Sequence, residues 1–232
     1  MTVDAALAIV PQTFLASIAP ALTAEILHGG RPLVVPAGRL LKHRPKAPGV
    51  AIVLEGLVRV FLQSSRQRQV TVRYARPGET LGLVHLFGGG PEVHSQAVTA
   101  VTLWTLSPKS LRAAADLSAP LAIAMATECS ARVADAVDEL ALLTFGSVRQ
   151  HVARHLLDLA AATAAAVEGK EAELVAHVTQ QDLADATGSV REVVARVLKE
   201  LESLGLTRRS AGGVVIVDAA ALDAEARGAT RQ

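Results

Sequence analysis

Apolar positions change their rhythm as the chain proceeds. Between residues 4 and 28 they cluster as in one or two short helices. From about 31 to 107 the texture becomes short runs of Val, Ile, Leu and Thr broken by Gly and Pro: RPLVVPAGRLL, GVAIVLEGLVRVFL, QVTVRYARPGETLGL and AVTAVTLWTLS. Turn signals recurring every ~8–12 residues predict an antiparallel β-barrel or sandwich, not alternating strands and helices. Three glycines at 88 to 90, followed by Pro91, mark a loop inside this region.

From residue 118 the chain turns alanine-rich and helical. Ser118 can cap a helix and Pro120 suits its first turn, which predicts a long helix to about Thr144. Ile123, Ala126, Ser130, Val133, Val137, Leu140 and Thr144 keep a 3-4 spacing along it. So narrow a seam fits one partner helix, the same helix of a second subunit; the alternative is packing on the chain's own barrel. Gly146 and Ser147 break the pattern, VRQHVARHLLDLAAATAAA predicts another helix, and VEGKEAE reads as a polar loop. The expected fold is α+β: an N-terminal barrel domain over 1–117, a dimerisation helix over 118–145, and a C-terminal domain over 146–232.

Residues 179–206, TQQDLADATGSVREVVARVLKELESLGL, carry the clearest chemistry. Thr179 and Asp182 fit a capping box opening a short helix, and Gly188 fits its left-handed stop. Ser189 and Glu192 fit a second capping box at once, and two capped helices separated by one glycine turn are laid out as a helix-turn-helix. Leu183, Val190, Val194, Val197, Leu198 and Leu201 are expected on a buried face, with Ala184 small where the helices cross. Opposite them stand Arg191, Glu192, Ala195, Arg196 and Lys199. Arg can donate two bonds to guanine and Glu can accept from cytosine; the competing reading is a solvated face with Glu192 and Arg196 paired one turn apart. LTRRSAGGVVIV then predicts a β-hairpin wing that sets Arg208 and Arg209 against the phosphate backbone. Helix-turn-helix plus wing points to DNA.

Charge and composition add to this picture. The net charge of +1 does not by itself suggest nucleic acid, yet Pro77 to Ser107 holds no Arg or Lys while basic residues crowd near the C-terminus. Two regions with different partners are expected. No apolar run reaches the roughly 18 residues of a membrane span, and MTVDAALAIVPQ lacks the basic start of a signal peptide. The single cysteine, Cys129, excludes an internal disulfide and a Cys-cluster metal site and fits a reducing cytoplasm. It reads as a small buried hydrophobe rather than a redox sensor.

Barrel, long helix and winged helix, in that order and with GSVREVVARVLKELESLGL in the last, resemble the Crp/Fnr superfamily of bacterial transcription regulators. VLEGLVRV with Gly56, and RPGETLGLVHLF with Gly78 and Gly82, look like that family's barrel turns and the start of its ligand cassette. The resemblance implies a homodimer on a near-palindromic site, with RNA polymerase as a further candidate partner. It also implies base contacts from Arg191, Glu192 and Arg196 and a phosphate contact from Thr179. Gln181, Ser189, Lys199, Arg208 and Arg209 are the other expected backbone contacts.

The cassette departs from the family's cyclic-nucleotide binders. Their ribose-binding Glu is replaced by Leu83, and GGGPEVHSQA offers no Arg for the cyclic phosphate, only His94 and Ser95. On the long helix Ala136 and Val137 stand where hydroxyls would meet adenine. Cyclic AMP is therefore not the expected effector. An effector pocket, if the barrel holds one, is expected around Leu81, Leu83, Val84, His94, Ser95 and Val137, with Leu86 and Phe87 adding to its aliphatic character. No cofactor is expected: one cysteine rules out an iron–sulfur cluster, and His43, His85 and His94 are each far more often surface or hydrogen-bonded residues than haem ligands. A haem- or small-molecule-responsive regulator remains the alternative. A cupin-like metalloenzyme is disfavoured because the barrel region has no His-x-His pair.

Overall fold

The computed structural model describes residues 2–41, 49–88, 92–166 and 173–228. His43, the Gly89–Pro91 part of the glycine loop and all but the last residue of VEGKEAE lie outside them. Two helices, α1 (Val3–Ile9) and α2 (Pro20–His28), with short 3-10 turns between them, lead into the strands. These are β1 (Arg31–Val35), β2 (Leu40–Leu41), β3 (Val50–Glu55), β4 (Val58–Gln63), β5 (Gln69–Ala75), β6 (Thr80–Leu81), β7 (His94–Ala97) and β8 (Val101–Leu106). They form two four-stranded sheets, ordered β1-β8-β3-β6 and β2-β7-β4-β5. The pairings β1–β8, β3–β8, β3–β6 and β2–β7 are antiparallel, as expected from the short Gly- and Pro-punctuated runs.

Period-two alternation sorts the core. From β3, Ala51 and Val53 join Val35, Val58, Val60, Ala75 and Leu103 in one cluster. Val50, Ile52 and Leu54 point the other way, into a second cluster with Leu15, Leu27 and Trp104. A strand buried on both faces reads as a continuous apolar run, which is why GVAIVLEG shows no alternation. Trp104 also donates its indole N–H to the Leu27 carbonyl at 3.0 Å, tying the end of α2 to the sheet.

A helix α3 (Pro108–Leu117), capped by the Ser107 hydroxyl, precedes the long helix α4 (Ala119–Phe145). Helix α3 follows the strand region that the apolar pattern predicts to end at Ser107, and that pattern does not predict it. Leu121, Ala124 and Met125 press α4 into the second cluster. The seam residues Ile123, Val133, Val137 and Leu140 face solvent, each 57–66% exposed, and Ala126 and Ser130 are not buried either. Packing on the barrel and a free seam therefore occupy different faces of one helix. Ion pairs anchor α4 further: Glu79 takes Arg73 at 2.7 Å and Arg132 at 3.4 Å, and Thr80 donates to Glu128 at 2.8 Å.

Two compact units result, Met1–Val60 with Arg73–Ala136, and Phe61–Val72 with Val137–Gln232. The second contains α5 (Val148–Ala166), β9 (Val175–Ala176), α6 (Gln180–Thr187), α7 (Arg191–Ser203), β10 (Thr207–Ser210), β11 (Gly213–Ile216) and α8 (Ala219–Ala226). The predicted wing is there as β10 and β11, but β9 extends it to three strands by pairing with β11. Helix α8, capped by Asp218, is a further element that the sequence reading lacks. Val152, Leu156, Leu183, Val194, Leu198, Leu201 and Leu222 are buried in this unit. Val190 departs from the expected buried face, being 57% exposed because it precedes the first turn of α7.

Candidate nucleic-acid interface

Local rules build the reading helix. Thr179 caps α6: its hydroxyl accepts the Asp182 N–H at 3.1 Å, and Asp182 accepts the Thr179 N–H at 3.1 Å. This is the capping box the sequence predicts. Gly188 ends α6 in the left-handed region, with φ 64. The second predicted box does not form. Ser189 donates its backbone N–H to Ala184 at 3.0 Å, completing the stop of α6, so that N–H is not available to Glu192. Helix α7 starts one residue later, behind Val190 and without a side-chain cap.

The consequence lies on the exposed face of α7. Arg191, Glu192, Arg196 and Lys199 are solvent-exposed, and none has a side-chain hydrogen bond or ion pair among the described residues. The competing Glu192–Arg196 pair is not made. Ala195, half-buried, leaves the space between them low. Val194, Val197, Leu198 and Leu201 bury the opposite face. One stretch of helix thus offers two guanidinium donors and one carboxylate acceptor to whatever lies outside.

Around this face the expected backbone contacts differ in how occupied they are. Thr179 spends its hydroxyl proton on Asp182 at 2.6 Å, and Gln181 bonds Asp185 at 2.9 Å. Arg208 pairs with Glu173 at 2.8 Å and Arg209 with Glu202 at 3.4 Å, all four side chains well exposed. Such surface pairs are worth about 0–1 kcal/mol and exchange readily for a phosphate. A groove of about 470 Å³ opens between the start of α6 and the wing, lined by Thr179, Gln180, Asp182, Arg209 and Ser210 among others. His177, missed in the sequence, helps to line it and holds the wing turn through Nδ1 to the Gly212 carbonyl at 2.8 Å. That carbonyl only accepts, so Nδ1 carries the proton.

Residues 150–225 match the family described as the Crp-like helix-turn-helix domain, and residues 33–117 match the cyclic nucleotide-binding domain. The transcriptional regulator LdrP of Thermus thermophilus is 32% identical over 172 residues, 74% of this chain and 84% of that protein. The chain belongs to the Crp/Fnr family of bacterial transcription regulators. Like other Crp/Fnr members it is a DNA-binding regulator carrying a cyclic-nucleotide-binding-like domain and a helix-turn-helix. A Crp/Fnr regulator of Thermus thermophilus of known structure superposes with a TM-score of 0.68 at 27% identity, covering 85% of this chain and 98% of that one. The cAMP-activated global regulator CRP of Salmonella typhimurium is 26% identical over 187 residues, 77% of this chain and 84% of that protein.

Two of the candidate effector residues of this Crp/Fnr chain, Leu81 and Leu83, enter different clusters. Leu81 packs into the cluster between the sheets, whereas Leu83 packs into the other, against the N-terminal helices and α4. Gly82 separates them with φ 76, and a Cβ there would lie 2.1 Å from the Gly49 carbonyl oxygen. Ser95 is buried and His94 half-buried, while Val84 and Val137 are exposed at 38% and 57%. No group of three His, Cys, Asp or Glu side chains able to hold a metal is assembled among the described residues. Cys129 is half-buried against the α4 cluster, and burial, with Glu128 beside it, pushes its thiol pKa up. At the other end of α4, burial lifts Glu139 to about 7 against the pull of Arg154, with Asp158 adding to the rise. No helix of the described residues is long and apolar enough to cross a membrane.

Proposed function

We propose that this chain is a sequence-specific regulator that binds a near-palindromic operator as a homodimer and is not controlled by cyclic AMP. The observation that carries the reading is the exposed, unpaired set Arg191, Glu192 and Arg196 on a helix buried along its other side. These three contact bases, Arg to guanine and Glu to cytosine. Thr179, Gln181, Ser189, Lys199, Arg208 and Arg209 hold the phosphate backbone and set the register. The exposed seam Ile123, Ala126, Ser130, Val133, Val137 and Leu140 joins two copies, which places two reading helices on half-sites about one turn of DNA apart.

The protein acts in the cytoplasm on double-stranded DNA, without cofactor or enzymatic activity, and RNA polymerase is its candidate protein partner. Against cyclic AMP stand Leu83 in place of the ribose-binding carboxylate, the missing Arg of the cassette, and Ala136 and Val137 on α4. Any small-molecule effector is apolar, in keeping with a cassette of Leu81, Leu83, Val84, Leu86 and Phe87. Selection of bound duplexes from a random pool, with and without cyclic nucleotides, tests this. An inverted repeat recovered equally in both arms is expected. A single half-site would sink the dimeric reading, and enrichment only with cyclic AMP would sink the effector reading.

A further inference from the structure

The tip of the β4–β5 hairpin lies in one compact unit with the helix-turn-helix, since Phe61–Val72 groups with Val137–Gln232. The tip is tightly tied. Ser64 receives the Arg68 N–H on its hydroxyl at 3.1 Å and gives its own N–H to the Arg68 carbonyl at 2.8 Å, and Gln67 turns the chain with φ 62. A second strap joins the Gln63 and Gln67 side chains at 2.6 Å. From this fixed turn Arg68 donates Nη2 to the carbonyl of Gly188 at 3.1 Å. A Cβ added at Gly188 would sit 3.2 Å from Val70 Cγ2, so the hairpin also approaches the turn on an apolar side.

Gly188 is the residue on which the direction of α7 depends. Its N–H closes α6 on Ala184, and the next residue's N–H goes to the same carbonyl. Its own carbonyl lies beyond the last turn of α6, where no intrahelical donor serves it. Arg68 takes that carbonyl, three residues before Arg191. The tip, FLQSSRQRQVTV, contains Arg66 and Arg68 and no acid. A segment that mimicked DNA to mask Arg191 and Arg196 would need negative charge; this one has the same sign as the two arginines of the reading face.

We propose that Arg68 is a positioning residue for DNA reading: by holding the Gly188 carbonyl it fixes the turn between α6 and α7 and so the angle at which Arg191 and Glu192 enter the groove. The proposal rests on the assignment of Arg191, Glu192 and Arg196 to base contacts.

The test uses the full chain with Arg68→Ala, Arg68→Lys and Arg191→Ala, titrated by fluorescence anisotropy on the selected operator and on random duplex over a series of salt concentrations. Arg68→Ala should lose about tenfold on the operator, the size of one charge-assisted hydrogen bond. Its affinity for random duplex, its salt slope and its melting temperature should stay at the parent values, and Arg68→Lys should recover most of the loss. A loss shared by random duplex, with the slope shallower by about 0.9 for each phosphate no longer neutralised, would make Arg68 a phosphate ligand and overturn the proposal. Unchanged operator affinity would overturn it too, and tighter binding would overturn it by making the hairpin a restraint. If Arg191→Ala keeps its operator preference, the base-contact assignment is what fails, independently of Arg68.

Discussion

Arg191→Ala and Arg208→Ala should leave different marks on DNA binding, and the structure sets the size of each. A guanidinium with two bonds to guanine contributes about 1–3 kcal/mol per half-site, a factor of roughly 5 to 150. Arg191 has no side-chain partner in the free chain among the described residues, so no existing ion pair offsets that gain. Arg208 begins paired with Glu173 at 2.8 Å, and binding must exchange that pair, worth about 0–1 kcal/mol, for a phosphate. Its removal should cost less and cost it on every sequence, with the slope of log K against log salt shallower by about 0.9 for each phosphate left unneutralised. Anisotropy titrations on the selected operator and on random duplex at several salt concentrations separate the two. Arg191→Ala should fall on the operator alone and accept other bases at one position of each half-site. Equal losses on both duplexes from Arg191→Ala would refute the assignment of that side chain to a base.

Other outcomes follow from single interactions. Glu139 has its folded pKa raised to about 7 from an ordinary 4.5, so its penalty on stability is present above the folded value and vanishes below the unfolded one. Glu139→Gln should therefore raise stability at pH 8, by about 1 kcal/mol once solvent screening of a partly exposed group is allowed for, and confer nothing at pH 4; a gain that grows on acidification would contradict this. Glu79→Gln leaves Arg73 and Arg132 facing each other with less counter-charge, and denaturant midpoints should report a loss of about 1–3 kcal/mol; an unchanged midpoint would show the network to be idle. Leu140→Asp puts a charge on the α4 seam, and sedimentation should find monomers with weakened operator binding; a persistent dimer would move the interface elsewhere. Cys129, with its thiol pKa raised by burial, should react with maleimide more slowly than a free thiol at neutral pH, and fast labelling would show the thiol to be open.

How much can be read from the sequence depends on how local the cause is. The cap at Thr179, the left-handed Gly188 and the buried stripe from Leu183 to Leu201, Val190 apart, are set within a few residues and are legible. The second cap is not, because its failure depends on a bond from Ser189 back to Ala184 that serves the preceding helix. Strand β9 has two residues, too few for any period, and exists only through its register with Val214 and Val215. Leu81 and Leu83 share a parity that would put them on one face of a continuing strand. The strand ends at Leu81, and the turn at Gly82 sends them to different cores. The Arg68–Gly188 bond spans 120 residues, and no pattern in the hairpin sequence announces it.

The chain writes a hydroxyl residue, two spacers and an acid twice, at 179–182 and 189–192. The first copy is a stability element with both reciprocal bonds made, so variation at Thr179 or Asp182 is filtered by folding before it is filtered by function. At the second copy neither bond is made, and Glu192 has no structural duty among the described residues. A library randomised at 192 would therefore report on operator preference with little confounding from stability, whereas one built on 179 and 182 would mix the two. That division of labour makes the second copy the place from which new operator specificities can be evolved.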